Sequence, residues 1–267
     1  MTSKTGLATA LVAAVVAAIV SAATLLIVGR TAPGVATAPT GGLDEKQVIE
    51  VVRNYLTENP EILVEMTTKL DKIQQEKQAA DQVSAISENS DALFRSTKAF
   101  GAGNPDGDVT VVEFFDYNCG FCRRAMPEVV KLVDNDDKVK VVFMELPIFG
   151  DESEDAAKGA LAAGKQDKYM EMHQKLFTAP GKANKEKVLR IANEIGLDVP
   201  QLEKDMEGDE VQAALDEARG LAQALGLQGT PLYLVGDRII PGAPDDLYDQ
   251  LVEKVTEVRE KGCTATC

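Results

Sequence analysis

The chain has 267 residues, with 43 acidic against 28 basic side chains and a formal net charge of −15. Such an excess of negative charge argues against nucleic acid and anionic surfaces as partners, because their phosphates would be repelled. With 45% apolar residues, no tryptophan and 5% aromatic residues, the chain can bury a core of ordinary size that must be largely aliphatic.

In chain order, Leu7 to Val28 is an unbroken run of Ala, Val, Leu, Ile and small residues behind Lys4, and reads as an export signal. It is longer than the apolar core of about 7 to 15 residues in a signal peptide, and near the roughly 20 that span a bilayer. An uncleaved anchor and cleavage after Ala22 both stay open. Either way, residues beyond Arg30 lie outside by the positive-inside rule, in a compartment where disulfides persist. Residues 1–30 are thus a signal peptide or membrane anchor. Residues 31–43, with Pro33, Gly34, Pro39, Gly41 and Gly42, are a linker.

From Asp44 the pattern turns helical. Val48, Ile49, Val51, Val52, Tyr55 and Leu56 make one apolar face, which Asn59-Pro60 ends. A second helix carries Leu63, Met66, Leu70 and Ile73 at alternating spacings of 3 and 4, continued weakly by Lys77 and Ala80. This is a short coiled-coil seam, which either packs back on its own domain or joins several chains. Residues 44–95 are read as a helical oligomerisation segment. Asn89 to Asp108 is polar and glycine-rich, a connection leading into a strand.

Val109 to Phe115 is β-branched and aromatic over the length of a buried strand, and Cys119-Gly120-Phe121-Cys122 falls where that strand must give way to a helix. Cys119 then sits at a helix N-terminus, facing unpaired N–H groups and the positive end of the dipole. Its pKa should fall below the free-thiol value of about 8.5. Cys119 is expected exposed and Cys122, a turn further in and placed to close a disulfide with it, buried. The four cysteines Cys119, Cys122, Cys263 and Cys267 could on paper hold zinc, but zinc knuckles sit on glycine-rich turns between short polar strands, so no metal is expected. A purely structural disulfide is disfavoured as well, since closing so short a loop removes little chain entropy. Glu113, an acid in an apolar strand six residues before Cys119, is costly there unless it has a role.

Lys138 to Met144 reads as a second central strand ending at Glu145-Leu146-Pro147, and two strands separated by a helix make a right-handed βαβ unit. Residues 152–227 are rich in Ala, Glu and Lys with helical periodicity, a helical insert broken by Gly164, Pro180-Gly181, Gly196, Pro200 and Gly208. His173, the only histidine, is read as a residue of an insert helix, and its solitude weakens any Cys-His nucleophile. Gly229-Thr230-Pro231 introduces a strand Leu232 to Val235, a turn at Gly236-Asp237, a short strand Arg238 to Ile240, and a last helix from about Pro244 to Lys261. Pro231 cannot donate to a ladder, so it belongs at a strand start or a special turn. Cys263 and Cys267 read first as a local disulfide on the tail, and second as a thiol relay or soft-metal clip.

Gly103 to Tyr117 followed by Cys119-Gly120-Phe121-Cys122 resembles the active-site segment of the DsbA-like thiol-disulfide oxidoreductases, and within them the suppressor-of-copper-sensitivity C proteins. The resemblance implies an α/β thioredoxin fold with a large helical insert over residues 96–267, preceded by the helical oligomerisation segment and the signal or anchor helix. It implies that Cys119 attacks or is attacked, that Cys122 resolves the mixed disulfide, and that Glu113 moves protons to and from Cys122, with Lys138 or Lys140 as its partner. Thr230 and Pro231, the latter in a cis bond, would bind substrate through backbone pairing. Cysteine-containing exported proteins, a membrane thiol-redox partner and further copies of the chain, a trimer foremost, are the implied partners. No cofactor is called for. The segment replaces the Pro-His between the DsbA cysteines by Gly120-Phe121, which separates it from the most oxidising relatives. The alternative of a different class is a non-catalytic, thiol-based copper-binding module of the periplasm.

Overall fold

The computed structural model describes residues 44–263. The apolar run at 7–28, the linker and Cys267 lie outside these residues. Among the described residues no helix is long and apolar enough to cross a membrane. The chain divides into two compact units, one ending at Thr68 and the other beginning at Lys69.

In the first unit, α1 (Glu45–Glu58) starts at Asp44, whose side chain accepts from the backbone of Gln47 while the Gln47 side chain accepts from the Asp44 N–H at 3.1 Å. This capping box satisfies two of the donors that a helix start leaves orphaned. Asn59-Pro60 ends the helix as expected, and α2 (Glu61–Glu88) comes next. Leu63, Met66, Leu70 and Ile73 all lie on α2 and are each more than half exposed.

The second unit is built on a mixed five-stranded sheet. Its strands are β1 (Phe100–Gly103), β2 (Val109–Phe115), β3 (Val139–Glu145), β4 (Leu232–Val235) and β5 (Arg238–Pro241), in the order β1-β3-β2-β4-β5. β2 and β3 are parallel and joined through α4 (Gly120–Asn135), the predicted βαβ unit. The remaining pairs are antiparallel. Five helices, α5 (Asp151–Gly164), α6 (Tyr169–Thr178), α7 (Lys185–Glu194), α8 (Val199–Met206) and α9 (Asp209–Ala224), form the insert, and α10 (Leu247–Lys261) closes the fold.

Because strand side chains alternate, residue parity sorts the core into two layers. Val111, Phe115, Val141, Phe143, Tyr233 and Val235 face α4, α10 and the insert helices. Val112, Phe114, Val142, Met144 and Leu234 face the other way, onto Ala85 and Ile86 at the end of α2, onto Leu93 and Phe94 of the short helix α3 (Ser90–Phe94), and onto α9. The last turns of the N-terminal helical segment thus belong to the core of the second unit.

One stretch differs from the sequence reading. The glycine-rich residues before β2 include a strand, β1, paired antiparallel with β3. A Cβ at Gly101 would stand 2.2 Å from the Val141 carbonyl oxygen, and Gly103 has φ +78. Glycine here permits close pairing at a sheet edge, so the composition of a loop serves as a strand.

Candidate functional site

β2 runs into Asp116-Tyr117-Asn118, and Cys119 caps α4 with extended backbone, φ −75 and ψ 118. The turn is held by Asp116, a buried acid that the sequence reading passed over. Its Oδ1 accepts from the Asn118 N–H and the Ser153 hydroxyl at 2.7 and 2.8 Å, and its Oδ2 from the Ile148 and Phe149 N–H groups at 2.7 and 3.1 Å. Asn118 ties the same turn to the insert, accepting from the Ala183 N–H and donating to the Ala183 carbonyl. An acid one residue past an apolar strand, with Asn two residues on, was the available signal.

Thr230-Pro231 lies against this turn. The peptide bond between them is cis, and Pro231 precedes β4 as expected of a residue that cannot donate. Cys119 Sγ is 3.3 Å from the Thr230 carbonyl, which accepts from the S–H when Cys119 is protonated. Cys119 is consequently only 3% exposed, against the expectation of an open thiol, while Cys122 is fully buried. The accessible residues of the motif are Gly120 and Phe121, the latter 56% exposed.

The two sulfurs are free thiols in this structure, not a disulfide. They are polarised in opposite directions. The Cys119 thiol is lowered from 9.0 to about 5, first by the Cys122 thiol donating to it, then by Thr230 and the backbone N–H groups of Cys122 and Phe121, with burial opposing. The Cys122 thiol is pushed far up by burial and by donating to Cys119. Neighbouring thiols thus settle into one thiolate and one thiol, the acceptor being the sulfur at the helix N-terminus.

Glu113 stands on the same face of the sheet, fully enclosed, and its carboxyl is pushed up to about 8 by burial. Its partner is the Tyr233 hydroxyl, which donates to Oε1 at 3.0 Å across the β2–β4 pair. Neither expected lysine is its partner, since Lys138 is exposed in the turn before β3 and Lys140 has the wrong parity. Lys140 is an even-numbered residue on β3, so it points to the opposite face and donates to the Phe94 carbonyl at 3.3 Å. His173 is buried in α6 beside the Phe115, Phe143 and Phe177 rings, and burial pushes it down to about 3. It touches the Tyr117 hydroxyl at 3.0 Å, and Tyr117 and Tyr169 both donate to Glu145. This buried cluster anchors α6 to β3. Cys263 is disulfide-bonded, and Cys267 lies outside the described residues. Among the described residues no group of three or more His, Cys, Asp or Glu is placed to hold a metal.

Residues 110–255 match the DSBA-like thioredoxin domain, and residues 44–77 match the copper resistance protein ScsC N-terminal domain. A thioredoxin-like oxidoreductase from Silicibacter pomeroyi is 50% identical with a TM-score of 0.62, over 64% of this chain and 97% of its own. ScsC from Proteus mirabilis in a compact conformation is 31% identical with a TM-score of 0.61, over 82% and 99%. Disulfide bond formation protein D of Bacillus subtilis is 27% identical, over 57% of this chain and 73% of its own. The chain also matches Na(+)/H(+) antiporters such as NhaA 1 of Salinispora arenicola at 28% identity, spanning only 21% of their length.

Proposed function

The chain belongs to the DSBA-like thioredoxin domain family, and from that membership we propose that it is a thiol-disulfide oxidoreductase that forms or reshuffles disulfides in exported proteins, working in the periplasm. The observation that carries the reading is the opposite polarisation of Cys119 and Cys122 beside the cis Thr230-Pro231 bond.

In the oxidising direction, a substrate thiolate attacks Cys119 Sγ in the Cys119–Cys122 disulfide. The S–S bond breaks, and Cys122 leaves as a thiolate that takes a proton. A second substrate thiolate then attacks the substrate sulfur of the mixed disulfide, which forms the substrate disulfide and releases Cys119 as a thiolate. Two electrons pass to the protein, and a membrane thiol-redox partner removes them. In reshuffling, the Cys119 thiolate attacks a substrate disulfide and releases one substrate thiolate; a different substrate thiolate then attacks the substrate sulfur of the mixed disulfide, which forms a new substrate disulfide and frees the Cys119 thiolate with no net transfer of electrons. Glu113 is the group that supplies and recovers the Cys122 proton, and the backbone at Thr230 pairs with the substrate strand. Residues 44–95 serve as an oligomerisation segment joining several copies, three foremost, through the exposed α2 seam. Residues 96–267 form the catalytic domain.

The test is a trap. Cys122→Ala should accumulate mixed disulfides between Cys119 and exported proteins, and Cys119→Ala should not. The reverse pattern would exchange the two roles. Titration against glutathione with and without copper separates this reading from a copper-binding module, which would hold copper at the pair and show no glutathione-coupled transition.

A further inference from the structure

Beside the reactive pair runs a groove of about 720 Å³ between the Thr230-Pro231 loop, Phe121 and one face of α2. Gln75, Gln78, Ala79 and Gln82 make that face, at i, i+3, i+4 and i+7, the spacing of a single helical stripe. Gln82 ties the helix to the loop by donating to the Leu225 carbonyl at 3.3 Å. None of the 17 residues lining the groove is charged, in a chain in which 27% are. Arg124 spends its guanidinium on the Ala243 carbonyl at 3.0 Å and on the Phe121 ring at 4.9 Å.

We propose that the glutamine stripe of α2 is part of the substrate site, and that it selects extended polypeptide segments whose cysteine is flanked by uncharged residues. The proposal rests on the exchange reading of Cys119 and names the substrate class of that same site. From Gln75 to Gln82 the helix rises about 10.5 Å, the length of about three residues of extended chain at about 3.3 Å each. Primary amides offer donors and acceptors together, so they can follow the backbone of a strand whatever its side chains. A charged flanking side chain entering the groove would lose water and meet no opposite charge, which is a penalty without compensation. The groove thus favours unfolded neutral segments, while the net charge of −15 would by itself favour cationic ones.

Those two influences oppose each other, which makes the test decisive. The disulfide form of the full chain is mixed with synthetic peptides holding one cysteine flanked by serine and valine, by lysine or by glutamate, and mixed-disulfide formation is timed. The neutral peptide should react at least tenfold faster than the lysine peptide despite the negative chain. Gln75→Glu with Gln78→Glu, both exposed positions that the fold does not depend on, should raise the lysine-to-neutral ratio at least tenfold. Gln74→Glu, off the stripe, should leave it unchanged. Equal rates for lysine and neutral peptides, or an equal response to both sets of substitutions, would overturn the proposal. Exchange of the wild-type chain with glutathione tells the failures apart: if it is absent the exchange reading itself fails, and if it is present without discrimination only the groove assignment does.

Discussion

Removing the Cys122 thiol should raise the Cys119 pKa by a calculable amount. Of the groups that lower Cys119 from 9.0 to about 5, the Cys122 thiol is the largest. A hydrogen bond to a charged group is worth roughly 1.5–3 kcal/mol, which at about 1.4 kcal/mol per pH unit moves the midpoint up by about 1 to 2. Cys122→Ala should therefore titrate near about 6 to 7, still below a free thiol because the helix N-terminus and Thr230 remain. Cys122→Ser, which keeps a donor, should fall between. Thiolate absorbance against pH reads the midpoint, and the pH dependence of alkylation checks it. A wild-type midpoint near 8.5 would remove the helix-terminus argument, and a Cys122→Ala midpoint still near 5 would remove the thiol as its chief cause. Stability changes with pH in a definite direction. The folded thiol's pKa is depressed, so its contribution to the reduced protein is full above pH 9, where the unfolded thiol also ionises, and is lost as pH falls towards 5. At pH 7 about 3 kcal/mol of it remains.

Glu113 acts with the opposite sign. Its folded pKa is raised from 4.5 to about 8, so its stabilising protonation is complete below 4.5 and lost as pH rises through 8. Between pH 5 and 8, Glu113→Gln should gain about 3 to 4 kcal/mol on the wild type, read by urea unfolding with the cysteines oxidised so that neither thiol titrates. Parallel curves would place the carboxyl in contact with water. Leu70→Glu with Ile73→Glu on the exposed α2 seam should convert a multimeric mass by light scattering into a monomeric one, with helix content unchanged; a wild-type chain that is already monomeric at micromolar concentration would end the oligomer proposal.

The elements carrying long apolar runs were legible because their periodicities are imposed by burial. β2 and β3, the helical insert and the β4–β5 hairpin match the sequence pattern closely. β1 was not legible, since its glycines answer to the closeness of Val141 across the sheet, a contact between residues far apart in the chain. The same limit hid Asp116, whose four hydrogen bonds reach back to the turn and forward to Ile148, Phe149 and Ser153. The place of Cys119 at a helix start was readable from the strand-to-helix switch. The near-complete burial of Cys119 was not, because the cover comes from Thr230, 111 residues on.

The partner of Glu113 shows how one residue of register changes the chemistry. A lysine at that position would have held the carboxyl ionised, and an ionised Glu113 has no proton to give a departing thiolate. The β2–β4 register puts Tyr233 directly opposite instead. A neutral hydroxyl stabilises the carboxylate too weakly to overcome its desolvation, so the acid keeps its proton up to about 8. Tyr233 therefore satisfies the buried oxygen without fixing its charge. In the proposed exchange this is what Cys122 requires, because its own environment disfavours the thiolate it must briefly become. Glu113 is thus kept neutral at physiological pH by its burial, with Tyr233 satisfying one oxygen, and a shift of β4 by one residue would turn Tyr233 to the other face and leave the carboxyl buried without it.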